Sequence, residues 1–367
     1  MRHHAKTRLA LQPLEGRDLM SVTSVTLTAG TLQVTADNAA DNIEIRQVIH
    51  GHGSSVTVSD KTSPTNASWS FNAGSVQRIV VKTNGGNDRV DSTAAKPTTV
   101  WGGDGNDLIL TGNGSDSLYG GAGNDSVYGG AGNDRIYGDA GVNQLRGESG
   151  NDSLFAGSRM DVVDGGVGVD YLELFAGQAV AVGGENVKIR VPQDQPQTDG
   201  WSCGPNSGSR LLRSFGIDVS YSTLRSQVQE NNLLSKFHLG TLPTTLRNVV
   251  KNYKSDVTLE TGASRDHVLQ LLAQGKPVIA LVAIKKVDIQ KFGVKVGTYG
   301  LLHYVVLNGF DQATGTIRYV DTTGEAKTWS FAEFSKRSSW VDYFTGVGAP
   351  MKETLHALGM RNQTILS

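Results

Sequence analysis

Two groups of residues in this sequence are of types that do chemistry. One is a lone cysteine with histidines and aspartates far downstream, and the other is a run of aspartates at constant spacing. Cys203 is the only cysteine in 367 residues. It stands in Gln197-Thr-Asp-Gly-Trp-Ser-Cys203-Gly-Pro-Asn206, and Arg210, Leu211, Leu212 and Phe215 follow at near-helical spacing, with Gly216 placed as a helix stop. A thiol at the start of a helix faces unpaired backbone N–H groups and the positive end of the helix dipole. Both favour the thiolate, which is the nucleophilic form. A lone cysteine is more often a small buried hydrophobe, so a catalytic reading needs further groups.

Those groups are a general base and a residue that orients it. Four histidines lie downstream: His238, His267, His303 and His356. His303 sits in Tyr299-Gly-Leu-Leu-His303-Tyr-Val-Val-Leu-Asn-Gly-Phe310, an apolar, β-branched run that reads as a buried strand, where an imidazole needs partners. A second strand, Gly315-Thr-Ile-Arg-Tyr-Val320, ends at Asp321, and pairing the two as a hairpin brings Asp321 within reach of His303. Taken singly, His303 reads as a satisfied core histidine and Asp321 as a turn former in Asp321-Thr-Thr-Gly324. Taken jointly, in the order Gln, Cys, His, Asp, they form a constellation.

This constellation resembles the papain-like cysteine peptidases, and the branch it is most similar to is the C39 type, which includes domains that cleave leader peptides from secreted bacterial peptides. The residues that carry the resemblance are Gln197-x5-Cys203-Gly-Pro, His303-Tyr-Val-Val-Leu-Asn-Gly and Val320-Asp321, across about residues 190–345. The resemblance implies Cys203 as nucleophile, His303 as general base and acid, and Asp321 as the group that orients the imidazole. It implies that the Gln197 side chain forms an oxyanion hole with the Cys203 N–H. Ser202 stands where the C39 pattern usually has Asp, a departure that touches the subfamily and leaves the chemistry intact.

The aspartates form the second group. Asp107, Asp116, Asp125, Asp134, Asn143, Asp152, Asp161 and Asp170 recur every nine residues without a slip. Two places after each stands an apolar residue: Ile109, Leu118, Val127, Ile136, Leu145, Leu154, Val163 and Leu172. Glycines precede most of them, as in Gly120-Gly121-Ala-Gly123-Asn-Asp125. The pattern resembles the Gly-Gly-x-Gly-x-Asp-x-apolar-x nonapeptide of calcium-binding RTX proteins. It implies a parallel β-roll in which glycine supplies the turns, the apolar residue points inward, and two nonapeptides make one coil. Turns 18 residues apart then stack, placing Asp107 over Asp125 and Asp116 over Asp134 over Asp152. Structural Ca²⁺ between the turns is expected to take carboxylate and carbonyl oxygens, with folding coupled to the metal. From Asp139 onward the glycines thin out, Asn143 replaces Asp, and Gly157-Ser-Arg-Met-Asp161 lacks the double glycine. Asn84-Gly-Gly-Asn-Asp88 resembles a stray first turn.

Several elements must position these groups. Residues 22–80 alternate apolar and polar side chains in short runs such as Thr31-Leu-Gln-Val-Thr35 and Asn42-Ile-Glu-Ile-Arg46, which predicts an all-β leader. Capping strands are expected between Gly177 and Val191, and Pro192-Gln-Asp-Gln-Pro-Gln197 reads as a junction. Helical patterns follow near 206–215, 222–235, 241–253 and 264–274, then strands at 277–284, 299–309, 315–320 and 327–331. Helices first and sheet later, with Cys before His, suit the α+β papain-like layout. The expected organisation is multidomain: a targeting-like segment (1–21), a β leader (22–83), an RTX β-roll with capping strands (84–190), a papain-like domain (191–348) and a tail (349–367).

Charge and composition bound the function. Residues 82–170 hold 13 Asp/Glu and 6 Lys/Arg, whereas residues 188–367 hold 14 and 21, so an acidic middle that wants cations precedes a mildly basic end. The basic excess is scattered, and no nucleic-acid partner is expected. One cysteine excludes an intramolecular disulfide framework. The longest apolar run, Pro277–Ile284, has strand length, so no transmembrane segment is expected. Leu9-Ala-Leu-Gln-Pro-Leu14-Glu15-Gly-Arg17-Asp-Leu19-Met-Ser21 resembles the opening of some bacterial surface and exported proteins, and equally reads as a short amphipathic helix. The overall expectation is a secreted or cell-surface bacterial cysteine peptidase acting on a peptide or protein substrate. Transglutaminase-like acyl transfer and non-catalytic calcium-dependent adhesion are the alternatives.

Overall fold

The structure is a computed structural model. It describes residues 22–338 and 364–366, apart from positions 52, 64–65, 178–179, 194–195, 198–202, 232–242, 258, 262–263 and 292–293. The targeting-like segment 1–21 and most of the tail lie outside the described residues, as do His238 and His356.

Two long sheets face each other through the first half of the chain. In one, Arg78–Lys82, Thr98–Asp104, Ser117–Ala122, Arg135–Tyr137, Ser153–Phe155 and Tyr171–Phe175 stack in parallel. In the other, Arg89–Ser92, Leu108–Leu110, Ser126–Tyr128, Gln144–Arg146, Val162–Asp164 and Val180–Val182 do the same. The register is the one the nine-residue period demands, because two nonapeptides close one coil. Leu118 lies opposite Ile136, Ile136 opposite Leu154, and Leu154 opposite Leu172. On the facing sheet Ile109, Val127, Leu145 and Val163 form the second row. All of these side chains are buried, and each burial stabilises the coil by about 1.5–3 kcal/mol. On the outer side Trp101, Tyr119, Tyr137 and Phe155 stack one coil above the next, with centroids 5.6, 4.8 and 4.5 Å apart.

The leader strands belong to the same two sheets. Thr31–Ala36 pairs with Arg78–Lys82, and Asn42–His50 pairs with Arg89–Ser92, both in parallel. The boundary expected at residues 83/84 therefore falls inside one continuous pair of sheets. A strand at Ser68–Asn72, not anticipated, pairs with Gly53–Asp60 and extends that end.

At the other end, Asn186–Arg190 is shared. It pairs in parallel with Tyr171–Phe175 and antiparallel with Val294–Asp311, so the roll runs into the sheet of the C-terminal region. The backbones meet closely here: a Cβ on Gly309 would lie 2.0 Å from the Val187 carbonyl oxygen, which leaves room for glycine alone. Val294–Asp311 also pairs with Val278–Lys291 and with Thr316–Val320. The first two strands are longer than expected because Val287 and Ile289, then Val294 and Val296, carry the two-residue alternation through the intervening lysines. Helices Cys203–Ser214, Tyr221–Asn231 and Pro243–Lys251 cover this sheet. Leu211, Leu212, Leu224, Val228, Leu246 and Val250 share a core with Ile279, Tyr304, Val306 and Val320.

Candidate functional site

Cys203 is the first residue of its helix, and no acidic side chain occupies the first turn. The helix dipole therefore acts on the thiol without a competing carboxylate. The helix is fixed from below. Leu246, Leu224 and Val250 pack tightly over Gly208, with side-chain atoms 3.1–3.3 Å from where a Cβ would stand. Arg210 is 2% exposed, and its guanidinium donates to Asn206 Oδ1 at 3.0 Å and to the Pro192 carbonyl at 2.5 Å. It thereby ties the segment leading to Gln197 onto the helix that carries Cys203. Gly324 completes the clamp: its φ is +91°, and a Cβ would lie 2.0 Å from the Gln193 carbonyl.

Through this clamp three distant segments meet. The Gln197 N–H donates to the Thr322 carbonyl at 2.8 Å. The Thr322 hydroxyl lies 3.1 Å from His303 Nε2, which leaves Nδ1 as the ring nitrogen for other work. His303 stands on Val294–Asp311 opposite Val282, and the next residue, Tyr304, is buried in the core against which Cys203 packs. Burial lowers the His303 pKa; Asp321 acts in the opposite sense and Lys327 reinforces the lowering. Burial together with the nearby Cys203 raises the Tyr304 phenol well above its ordinary range.

Asp321 lies near enough to His303 to act on its charge, as the hairpin suggests, but its hydrogen bonds go elsewhere. Its carboxylate pairs with Lys327 and accepts from the Thr323 N–H at 2.9 Å and the Thr323 hydroxyl at 2.5 Å. Burial pushes Asp321 up, but the Lys327 and Thr323 hydrogen bonds outweigh it and hold the carboxyl below its usual range. Thr322, not Asp321, is the hydrogen-bond partner of His303 Nε2, and Asp321 acts on the ring through space. Sequence reasoning missed Thr322 and Lys327, since both read as ordinary members of a turn and the strand after it.

The aspartates of the roll form two buried ladders. On one, the N–H groups of Asp88, Asp107, Asp125 and Asn143 donate to the side-chain Oδ1 of Asp107, Asp125, Asn143 and Asp161 in turn, at 2.8–2.9 Å. On the other, Thr98, Asp116, Asp134 and Asp152 donate to Asp116, Asp134, Asp152 and Asp170, at 2.7–2.8 Å. The other oxygens are unlike these. Oδ2 of Asp88, Asp107, Asp125, Asp134, Asp152 and Asp170 is buried with no hydrogen-bond partner. A buried unpaired carboxylate oxygen is costly. Burial accordingly raises the pKa of all six, to about 7 for Asp88 and Asp134 and about 6 for Asp125 and Asp170.

These oxygens converge with backbone carbonyls. A Cβ on Gly147 would lie 2.2 Å from Asp152 Oδ2 and 2.4 Å from the Gly165 carbonyl oxygen; on Gly102, 2.3 Å from Asp107 Oδ2 and 2.5 Å from the Gly120 carbonyl. Gly129 and Gly165 make the same cradle for Asp134 and Asp170. No group of three or more His, Cys, Asp or Glu side chains that could hold a metal forms among the described residues. The cradles instead combine one carboxylate with carbonyls, which is a donor set for a hard cation such as Ca²⁺. Of the five aspartates read as metal ligands, Asp107, Asp125, Asp134 and Asp152 present an orphan oxygen. Asp116 does not, and the Thr111 hydroxyl lies beside it. Asp170, not read as a ligand, does.

Comparison with known proteins agrees with both halves. Residues 186–345 match the Peptidase C39 like family, and residues 101–136, 110–145 and 137–172 match the RTX calcium-binding nonapeptide repeat. No curated protein matches the chain. Among solved structures, a Bacillus anthracis protein assigned as a C39-like peptidase is 16% identical over 48% of this chain and 96% of its own, with a TM-score of 0.33. No helix among the described residues is long and apolar enough to cross a membrane.

Proposed function

We propose that this chain, in which a C39-like peptidase region follows RTX calcium-binding repeats, is a cysteine peptidase whose β-roll is closed by calcium. The observation that carries the catalytic half is the hydrogen-bonded line from Gln197 through Thr322 to His303, beside a helix that begins at Cys203. His303, kept neutral near pH 7 by burial, takes the Cys203 proton. The thiolate attacks a peptide carbonyl, and the new oxyanion is held by the Gln197 side chain and the Cys203 N–H. The imidazolium then gives its proton to the leaving amine as the C–N bond breaks and a thioester remains. Water, deprotonated by His303, hydrolyses the thioester and regenerates the thiol. Thr322 orients the ring, and Asp321 adds negative charge near it.

Calcium, when bound, supplies positive charge to Asp107, Asp125, Asp134, Asp152 and Asp170, whose second oxygens otherwise face one another's coils uncompensated. Low calcium inside a cell leaves the roll loose and higher calcium outside closes it, which suits a secreted or surface-bound bacterial protein. Because Asn186–Arg190 is shared between the roll and the C-terminal sheet, unfolding of the roll reaches the sheet that carries His303.

The test is alkylation of the intact protein by iodoacetamide across pH, against Cys203→Ala and His303→Ala. An activated pair labels fast near pH 6 and slows in His303→Ala. Slow labelling with an ordinary thiol midpoint, unchanged in His303→Ala, makes Cys203 structural and refutes the peptidase. For calcium, circular dichroism with no calcium-dependent β signal refutes the second half.

A further inference from the structure

The coils of the roll are not equivalent, and three of them carry a side-chain donor where the others have a bare glycine or a second acceptor. Thr83 Oγ1 donates to the Gly102 carbonyl at 2.6 Å, Thr111 Oγ1 to the Gly129 carbonyl at 2.7 Å, and Asn143 Nδ2 to the Gly138 carbonyl at 2.7 Å. Thr83 and Thr111 occupy the first position of their nonapeptides, which is Gly102, Gly120, Gly129, Gly138, Gly147 or Gly165 elsewhere, and Ala156 once. Asn143 occupies the aspartate position itself. In each case an N–H or O–H points its positive end at a carbonyl of the row along which the cradles lie.

Asn143 shows the substitution most plainly. Its Oδ1 accepts the Asp125 N–H at 2.9 Å, the same rung that every aspartate of the ladder makes. Its second atom is a donor, whereas Asp107, Asp134, Asp152 and Asp170 present a buried oxygen with no partner. The rung below is closed too. Asp161 Oδ2 accepts the Gly157 and Ser158 N–H groups at 2.8 and 3.1 Å, and Ala156, buried, replaces the first glycine.

We infer that Asn143 and Thr111 are built-in stand-ins for a metal ion, so that calcium loads the two ladders as offset rows. On the ladder of Asp107 and Asp125 the row stops at Asn143. On the other it starts after Asp116 and runs through Asp134, Asp152 and Asp170. The overlap is small, so the roll is stapled by calcium near one end on one edge and near the other end on the opposite edge. The last cradle, at Asp170, lies next to Asn186–Arg190, whose first residue donates to the Asp170 carbonyl at 2.9 Å. The offset thus places metal against the strand that leads into the C-terminal region. This inference rests on the calcium reading above and adds which rungs take the ion.

The experiment counts bound calcium per full-length chain by equilibrium dialysis, for wild type, Asn143→Asp and Thr111→Gly. Asn143→Asp keeps the oxygen that accepts the Asp125 N–H and removes only the donor. Thr111→Gly restores the glycine of the open rungs. Each variant is expected to bind one more ion than wild type, and Asn143→Asp to melt lower in chelator yet recover with calcium. A gain in either variant supports the stand-in at that rung. Wild-type stoichiometry in both overturns the inference while leaving the calcium reading intact. A wild-type chain that binds no calcium overturns that reading, and this inference with it. If Asn143→Asp fails to fold, Thr111→Gly decides alone.

Discussion

The roll and the C-terminal region handle buried charge in opposite ways. In the roll Asp107, Asp134, Asp152 and Asp170 are half satisfied, one oxygen on a neighbouring N–H and the other with nothing. In the C-terminal region the charges are met from within the chain: buried Arg210 donates to Asn206 and the Pro192 carbonyl, and partly buried Asp321 pairs with Lys327 and accepts from Thr323. The first arrangement leaves stability to be supplied by an ion from solution. The second fixes geometry whatever the medium, which a catalytic site requires. The difference teaches that the two halves should fail separately: changes at Cys203 should leave folding alone, and changes in the cradles should reach activity only through folding.

The largest effect tests that separation directly. Cys203→Ala is expected to lower peptide hydrolysis on the order of 10⁴-fold or more, with the calcium-induced β signal and the melting temperature unchanged. Residual cleavage within tenfold of wild type would place the nucleophile elsewhere. Gln197→Ala comes next, with turnover down about 10²–10³-fold and little change in KM, because the lost donor matters only to the oxyanion. A rise in KM with turnover intact would make Gln197 a substrate contact. Neither change should alter calcium stoichiometry.

Gly147→Ala breaks the comparison from the other side. Its new Cβ meets Asp152 Oδ2 and the Gly165 carbonyl at well under contact distance, so the cradle between them closes. The chain should bind fewer calcium ions and unfold at lower urea, by about 1–3 kcal/mol, the range for overpacking a tight site. Alkylation of Cys203 in the folded protein should keep its wild-type rate. Undiminished calcium binding in Gly147→Ala would show that the ions sit elsewhere.

The two halves also differ in how far the sequence reveals them. In the roll, contacts repeat at 18 residues, so the nine-residue period states the fold, the register and the inward row from Ile109 to Leu172 at once. What the period hides is which rungs are closed, because Asn143 and Thr111 look like small lapses from a consensus until their donors are seen on carbonyls. In the C-terminal region, Gln197 and His303 both reach Thr322, contacts that span 125 and 19 residues. Residue type pointed to Cys203, His303 and Gln197, but the partner of His303 was decided by the turn after Val320. That turn hands Asp321 to Lys327 and presents Thr322 instead, and a single sequence does not specify turn geometry to that level.

The smallest expected effect probes that handover. Lys327 lowers the His303 pKa and holds Asp321; Lys327→Met removes the cation and leaves Asp321 to act on the ring. Loss of a nearby positive charge favours the imidazolium, so the His303 pKa should rise. The sign for stability follows. The folded imidazole titrates below its unfolded value of about 6.5, so the unfolded chain binds the proton more tightly. His303 therefore contributes stability above that value, and the contribution is lost as pH falls below it. Lys327→Met should shrink this acid loss and move the His303-dependent limb of the alkylation profile to higher pH. Thr322→Val serves as the companion, since it removes the hydroxyl and leaves both charges in place. It should slow alkylation by roughly tenfold, about the 0.5–1.5 kcal/mol of one hydrogen bond, without shifting the limb as far. A limb that stays fixed in Lys327→Met would mean that Asp321 and Lys327 form a structural pair with no hold on the imidazole.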